Sequence, residues 1–304
     1  YGQIFTGAIN GAFGVWDWLY LDDEGKAAWG PAAEGAKDYL ETMQNWYAEG
    51  LINTDWATAD FNQRMAEAVS DDCAVIMDSP DTMWGYWKED NGIDFVAALN
   101  PVLNKGDVSR QTYHNFKQSG STAAITTQCE NVEAACAFLD FAYTKKGWEI
   151  YNYGSYGDVH LIDENGLPYY HSESLMYNDP DNQPVSNLIW KYRIHDFADI
   201  RDEHNSNPLI VAEGSYSGDI REYWTESMDS SVTMPPVTFT PEEAAREGEL
   251  GTVLSTMRNE YFSKIIMGQL PVDAYDEFLE QAKAQGADEL VSLYQTALDR
   301  YNAR

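Results

Sequence analysis

Positive charge is scarce: 19 Lys and Arg stand against 50 Asp and Glu, a formal net charge of −31 over 304 residues. Nucleic-acid binding rests on Lys and Arg neutralising phosphates, and this balance repels them instead. An anionic membrane surface is disfavoured by the same sign. An acidic excess of this size serves solubility in an exposed setting. Cysteine is nearly absent. Cys73, Cys129 and Cys136 form no even-numbered framework and contain no CxxC pair, so no disulfide scaffold is expected. Cys73 precedes an apolar run and Cys136 sits in an alanine-rich helical pattern, which reads as buried free thiols. Long apolar runs are missing too, and nothing reaches the roughly 18–20 residues that span a bilayer. The chain opens Tyr1-Gly2-Gln3 without Met, basic n-region or apolar h-region, and the expectation is an internal cut in a longer protein.

Enzyme signatures are equally lacking. There is no HExxH, no P-loop and no GxGxxG. Gly214-Ser215-Tyr216-Ser217-Gly218 puts Tyr where a nucleophile elbow needs Ser. The five His are scattered, with no second ligand at metal-binding spacing. Asp179-Pro180-Asp181-Asn182 lacks the central Gly and later Glu of a calcium loop. Neither metal nor cofactor is expected. Chance pairs among 50 carboxylates are unavoidable, which keeps a glycoside hydrolase or lyase as the alternative. That reading requires two carboxylates about 5–9 Å apart across a cleft.

What the chain has in quantity is aromatic residues: 10 Trp, 20 Tyr and 11 Phe. Such rings fill a core or cover a flat ligand, and most are assigned to core. Val15–Tyr20 reads as a strand before the turn Asp22-Asp23-Glu24-Gly25. A helix follows Pro31, with Ala36, Tyr39, Leu40, Met43 and Tyr47 on one face and Gly50 at its end. Phe61, Met65 and Val69 mark a shorter one. Ala74–Met77 reads as a buried strand running into Asp78-Ser79-Pro80-Asp81 and a helix bearing Trp84 and Trp87. Phe95–Leu99 and Ser121–Thr127 are further strand candidates, separated by a polar loop that carries Arg110 and His114. Asn131 can cap a helix with Ala135, Phe138, Leu139 and Ala142 inward.

Val159–Ile162 and Leu167–Tyr170 flank the turn Asp163-Glu164-Asn165-Gly166 as a hairpin. The region 172–236 reads as mostly loop, with short helices near Ile189 and Tyr223. Thr240-Pro241-Glu242-Glu243 is a capping box that opens a helix with Leu250, Leu254, Met257, Tyr261 and Ile265 on one face. Asp273 is expected to cap the next helix, with Tyr275, Phe278, Leu279 and Ala282 inward. Leu290, Tyr294, Ala297 and Tyr301 mark the last. Strands mixed with helices, then a helical tail, make this an α/β protein. Its expected segments are 1–120 (an α/β lobe with a cleft loop), 121–171 (a crossover with helix and hairpin) and 172–304. The last joins the irregular stretch and C-terminal helices in one body with the rest.

Three stretches, taken together and in order, carry a resemblance. One is Tyr47-Ala48-Glu49-Gly50-Leu51-Ile52-Asn53-Thr54-Asp55-Trp56-Ala57-Thr58, followed by Cys73–Met77. Another runs from Ala124-Ile125-Thr126-Thr127 through Glu133–Phe141 to Gly147, Asn152-Tyr153-Gly154 and the Asp163–Gly166 turn. The last is Met267-Gly268-Gln269-Leu270 leading to Tyr294-Gln295 and Ala297–Tyr301. In these the chain resembles the extracellular solute-binding proteins (family 1, LipO-like lipoprotein branch) of bacterial ABC importers, in their C-terminal part. The resemblance implies a periplasmic-binding-protein-like, type II-like two-lobed fold that closes on ligand like a hinge. By the same resemblance, the N-terminal lobe segment, with its signal and lipid-anchor Cys, is expected to lie outside this sequence. It further implies a monomer on the extracellular face of the bacterial membrane. There it would capture a small molecule or an oligosaccharide, hand it to a membrane permease and catalyse nothing.

In such a fold, loops at strand ends line the cleft. The loop after Ala74–Met77 matches a ligand-facing stretch of the family, and its candidates are Asp81, Trp84 and Trp87. A carboxylate can bond sugar hydroxyls, and a ring can cover C–H faces. Trp84 and Trp87 share a helix face, and core is an equal alternative for each. Tyr156, in the glycine-flanked turn Tyr153–Asp158 ahead of His160, offers a ring and a hydroxyl. A tight turn with a surface tyrosine is the plainer reading. Trp16 and Trp18 point to the same side of their strand, towards core or cleft, and core is favoured. The ligand set is therefore Asp81, Trp84, Trp87, Tyr156, Trp16 and His160. Arg110 and His114 are weaker candidates.

Overall fold

The computed structural model describes residues 8–68, 70, 73–77, 96–112, 123–181, 183, 185–194, 200 and 216–304. The chain divides into two compact units. One takes in Tyr1–Met77, Ala98–His114 and Trp224–Arg304, the other Asp78–Ala97 and Asn115–Tyr223.

The first unit is built on helices. After α1 (Ala8–Ala12), β1 (Leu19–Leu21) and β2 (Ala27–Trp29) form an antiparallel hairpin in the register Leu19↔Trp29. Its turn is held by Asp22, whose Oδ1 accepts from the amides of Glu24 at 2.9 Å and Lys26 at 2.8 Å. The strand thus begins four residues later than the sequence suggests, and Val15 and Trp16 enter the core ahead of it. Ala27-Ala28-Trp29 gives no alternating signal, so only its pairing reveals it as a strand.

α2 (Ala36–Ala48) buries Ala36, Tyr39, Leu40 and Met43, the stripe that helical spacing predicts. α3 (Phe61–Ala68) follows. β3 (Ser109–Arg110) pairs in parallel with β6 (Met228–Asp229). There Arg110 makes ion pairs with Asp23 at 2.9 Å and Asp229 at 3.8 Å.

Three long helices complete this unit: α8 (Pro241–Ile266), α9 (Ala274–Ala284) and α10 (Ala287–Asn302). The capping box at Thr240 and Glu243 forms as its spacing requires. Asp273 does not cap α9 with its side chain. Its carboxylate is instead 2.9 Å from the Lys37 ammonium, a partner supplied by α2 that no local pattern announces. Phe278, fully buried, is the hub of the core. Its ring lies 5.4 Å from Phe262, 5.6 Å from Tyr261, 5.7 Å from Trp29 and 5.9 Å from Tyr275, centroid to centroid. Gln44 joins α2 to the end of α8, donating from Nε2 to the carbonyls of Ile265 (2.5 Å) and Leu270 (3.0 Å). The Ile265 carbonyl also accepts from the Gly268 amide at 2.9 Å, so Gln44 adds a second donor at the turn that ends α8.

In the second unit, Asn131 caps α4 (Val132–Phe141) through the Ala134 amide at 2.9 Å. Thr144 caps α5 (Lys145–Tyr153) through the Gly147 amide at 3.0 Å. β4 (Leu161–Ile162) and β5 (Pro168–Tyr169) make the expected hairpin in shorter form, its turn closed by Asp163. α6 (Val185–Tyr192) and α7 (Tyr216–Ser227) are the two short helices expected near Ile189 and Tyr223; α7 belongs to this unit up to Tyr223 and to the first from Trp224. A small core of Val159, Met176 and Leu188 lies beneath the hairpin and α6.

Several expectations fail here. Residues 73–77, 96–100 and 123–127 form no strand among the described residues, and Val75 and Val96 are each 79% exposed. An apolar run becomes a strand only when a neighbouring backbone pairs with it, and among the described residues no strand pairing includes these runs. α4 buries none of its ten residues. Phe138 is exposed rather than inward, and Cys136 is exposed rather than buried.

The hub generates a stability prediction. Phe278→Ala should cost about 3–5 kcal/mol, the range for truncating a buried aromatic. Phe278→Leu, which keeps more of the volume, should cost clearly less. Urea denaturation followed by circular dichroism measures both. A loss below about 1 kcal/mol for the alanine variant contradicts a central packing role.

Candidate functional site

Within the second unit an open groove of about 490 Å³ lies between the end of α5, the turn after it and the end of α6. Gly154 makes this arrangement possible. It ends α5 at φ 84°, and a Cβ there would stand 2.4 Å from the Tyr192 carbonyl oxygen. Only glycine lets the two chain segments come this close. Beyond it the chain coils tightly. The Val159 amide donates to the Ser155 carbonyl at 3.1 Å, and the Gly157 amide donates to the His160 carbonyl at 2.8 Å.

That coil separates Tyr156 from His160 in exposure while keeping them in contact. Tyr156 is 66% exposed and lines the groove. His160 is fully buried, its ring 5.8 Å from the Tyr156 ring at 78°. His160 Nε2 donates to Glu149 Oε1 at 3.0 Å. A carboxylate can only accept, so Nε2 carries the proton. His160 Nδ1 has no hydrogen-bond partner among the described residues. Glu149 lines the groove. Its other oxygen remains to accept from a ligand, while His160 fixes the carboxylate's orientation.

The opposite rim comes from α6. Asp179, its side chain 1% exposed, accepts from Lys191 Nζ at 2.5 Å and Tyr192 Oη at 2.6 Å. It also accepts from the amides of Asp181 at 3.0 Å and Gln183 at 3.2 Å. Lys191 and Tyr192 both line the groove, so this buried carboxylate sets their positions. Among the described residues the groove thus offers the phenol rings of Tyr156 and Tyr192, one carboxylate (Glu149), and the cationic groups of Lys146, Lys191 and Arg193. These suit a ligand with hydroxyls and apolar C–H faces. Among the described residues no cluster of His, Cys, Asp or Glu could hold a metal ion.

The predicted site residues have different outcomes. Tyr156 and His160 come together at the groove. Trp16 is 4% exposed in the first unit, its ring 4.0 Å from that of Tyr20 and beneath the Arg110 guanidinium at 5.9 Å. Asp81, Trp84 and Trp87 lie outside the described residues, as does His114. The sequence reading missed Lys146, Glu149, Lys191 and Tyr192. A usable signal was Thr144 three residues before Gly147, an N-cap that places Glu149 one turn before the end of α5. Nothing in the spacing links α5 to α6.

No family model matches the chain, and no curated protein matches it. Solved structures do. The alginate-binding protein AlgQ2, solved without calcium ion, matches with a TM-score of 0.71 at 20% identity, over 97% of this chain and 62% of AlgQ2. The S. pneumoniae ABC-transporter substrate binding protein FusA, in complex with kestose, matches with a TM-score of 0.65 at 16% identity, over 97% of this chain and 60% of FusA. An HMO-binding, ABC-transporter-associated solute-binding protein from Bifidobacterium longum infantis gives 0.61 at 16%, over 98% of this chain and 62% of the other. This is a solute-binding-protein-like fold, present in part. It is α/β with a helical C-terminal region, as the resemblance in the sequence implies. The chain spans about three-fifths of the length of these neighbours, and at such identities the likeness speaks for the fold. No helix among the described residues is long and apolar enough to cross a membrane.

In this solute-binding-protein-like fold the rim of the groove should respond to acid. The Lys191 ammonium, with the Tyr192 hydroxyl, holds the Asp179 carboxyl down at about 2, below the usual aspartate value. A depressed folded-state pKa gives stability that is present above the unfolded value and lost as pH falls through the folded one. Asp179→Asn should therefore destabilise the protein at pH 6–7, and its deficit relative to the parent should shrink as pH falls below about 4. Paired urea titrations from pH 7 to pH 3 read that deficit directly, since the other carboxylates cancel between the two proteins. A deficit that stays constant over this range contradicts the assignment.

Proposed function

We propose that this chain is part of the extracytoplasmic substrate-binding component of an ABC importer, one that captures a carbohydrate, most simply an oligosaccharide, and delivers it to a membrane permease. The observation that carries this reading is the likeness to AlgQ2 over 97% of the chain. It is supported by FusA with kestose bound and by the HMO-binding protein, which share the fold. The groove chemistry agrees: a ring, a carboxylate and ammonium groups are what a polyhydroxylated ligand needs, and Glu149 is the one carboxylate among the residues lining it. The protein acts as a monomer, without cofactor or catalysis, on the extracellular face of a bacterial membrane, lipid-anchored in its full length.

The proposed ligand wall comprises Tyr156 and Glu149, with Asp81, Trp84 and Trp87 from the loop that the sequence resemblance singles out. His160 is a positioning residue acting through Glu149. Trp16, buried in its own unit, is not carried forward.

The test begins with the full-length polypeptide and a glycan panel containing neutral and acidic oligosaccharides. A ligand at a hundred times its Kd should stabilise the fold by about 2.7 kcal/mol, and mass spectrometry should recover every glycan intact. Cleavage products would replace this reading with a glycan-active enzyme. With the best ligand, Tyr156→Ala, Asp81→Ala, Trp84→Ala and Trp87→Ala are compared by calorimetry, with circular dichroism to confirm folding. At least one should weaken binding about tenfold, or about 1.4 kcal/mol. Unchanged affinity in all four removes these residues from the wall.

A further inference from the structure

α4 (Val132–Phe141) is more apolar than any other helix among the described residues, yet none of its residues is buried. By helical spacing Glu133 and Asp140 share one narrow polar sector, and the rest of the circumference is Val, Ala, Cys, Leu and Phe. Ala135 and Leu139 are half-buried. The two flanks beside them face water: Val132 is 53% exposed and Cys136 is exposed on one side, and Phe138 is 60% exposed with Ala134 on the other. A helix that is apolar almost all round belongs in an interior, and apolar surface of this kind marks an interface. The same unit leads into α4 through residues 123–126, which are neither helix nor strand, with Ile125 exposed, and also carries the exposed Val96. Both segments have strand composition without a ladder.

We propose that this surface is an internal interface of the full-length protein. Its occupant is the part of the polypeptide that corresponds to the neighbours' unmatched length, more than a third of each chain. That part supplies strand partners for these two segments and covers the flanks of α4. A second copy is a poor occupant, because two chains each carrying −31 repel one another. The proposal rests on reading the chain as part of a solute-binding protein, and it adds which face is covered and by what.

Cys136 is a built-in reporter. Under native conditions a small maleimide should modify Cys136 readily in the 304-residue chain and about tenfold or more slowly in the polypeptide as its gene encodes it. Peptide mass spectrometry assigns the site. Equal rates in the two overturn the proposal. So does protection that rises with the concentration of the 304-residue chain, since the cover is then a second copy. A photo-reactive residue at Val132 of the gene-encoded polypeptide should cross-link to a peptide outside residues 1–304. Cross-links confined to those residues, or to a different protein, overturn it. The outcome is independent of the glycan panel: a protected Cys136 without glycan binding removes the transport reading and leaves the interface, and the reverse result does the opposite.

Discussion

The burial of Phe278 is the contact on which the first unit depends. Four other rings meet it, from β2, α8 and α9. Their sources span residues 29–278, so one side chain holds together segments far apart along the chain. Aromatic packing of this density offsets the entropy of closing such a loop, a cost that grows only slowly with loop length. The polar ties around it, such as Gln44 to the end of α8, add direction more than strength. Gln44 reaches the Ile265 and Leu270 carbonyls from one position on α2, which fixes the register of α2 against the end of α8.

How legible each element was depended on how far away its partner lies. α2, α8, α9 and α10 are autonomous in pattern: each carries its apolar stripe, and a capping box or glycine marks the ends. They can be drawn from sequence because the signal sits within one or two turns. Ala74–Met77, Phe95–Leu99 and Ser121–Thr127 carry equally apolar residues. There the sequence records only a preference, and the structure depends on a neighbour that the segment does not encode. α4 teaches the same lesson from the helical side. Asn131 caps it as expected, yet the face assigned to the core contains Phe138, which is exposed.

The groove was half legible. Tyr156 stands out because glycines flank it, and His160 follows at the end of the same coil. Glu149 and Lys191 do not stand out in a chain with 50 acidic residues and 19 basic ones; the Thr144 cap places Glu149 on its helix but says nothing of what it faces. Their roles come from distance: one is 3.0 Å from a buried imidazole and the other 2.5 Å from a buried carboxylate. Buried, hydrogen-bonded partners of this kind keep exposed groups in fixed orientations. The same logic removes Trp16, whose aromatic character suited a ligand wall but whose ring is packed against Tyr20.

The contact between Gly154 and the Tyr192 carbonyl divides the turn into a part that can vary and a part that cannot. A side chain at 154 would collide with backbone, so that position is closed to change. Ser155, Tyr156 and Asp158 all project into solvent from the same coil. Their substitution leaves the coil's amide–carbonyl bonds untouched. On the proposed reading of the groove, Ser155 and Tyr156 are lining positions whose side chains can change while the backbone that presents them stays as it is. The scaffold, held by main-chain bonds, passes unaltered through such changes.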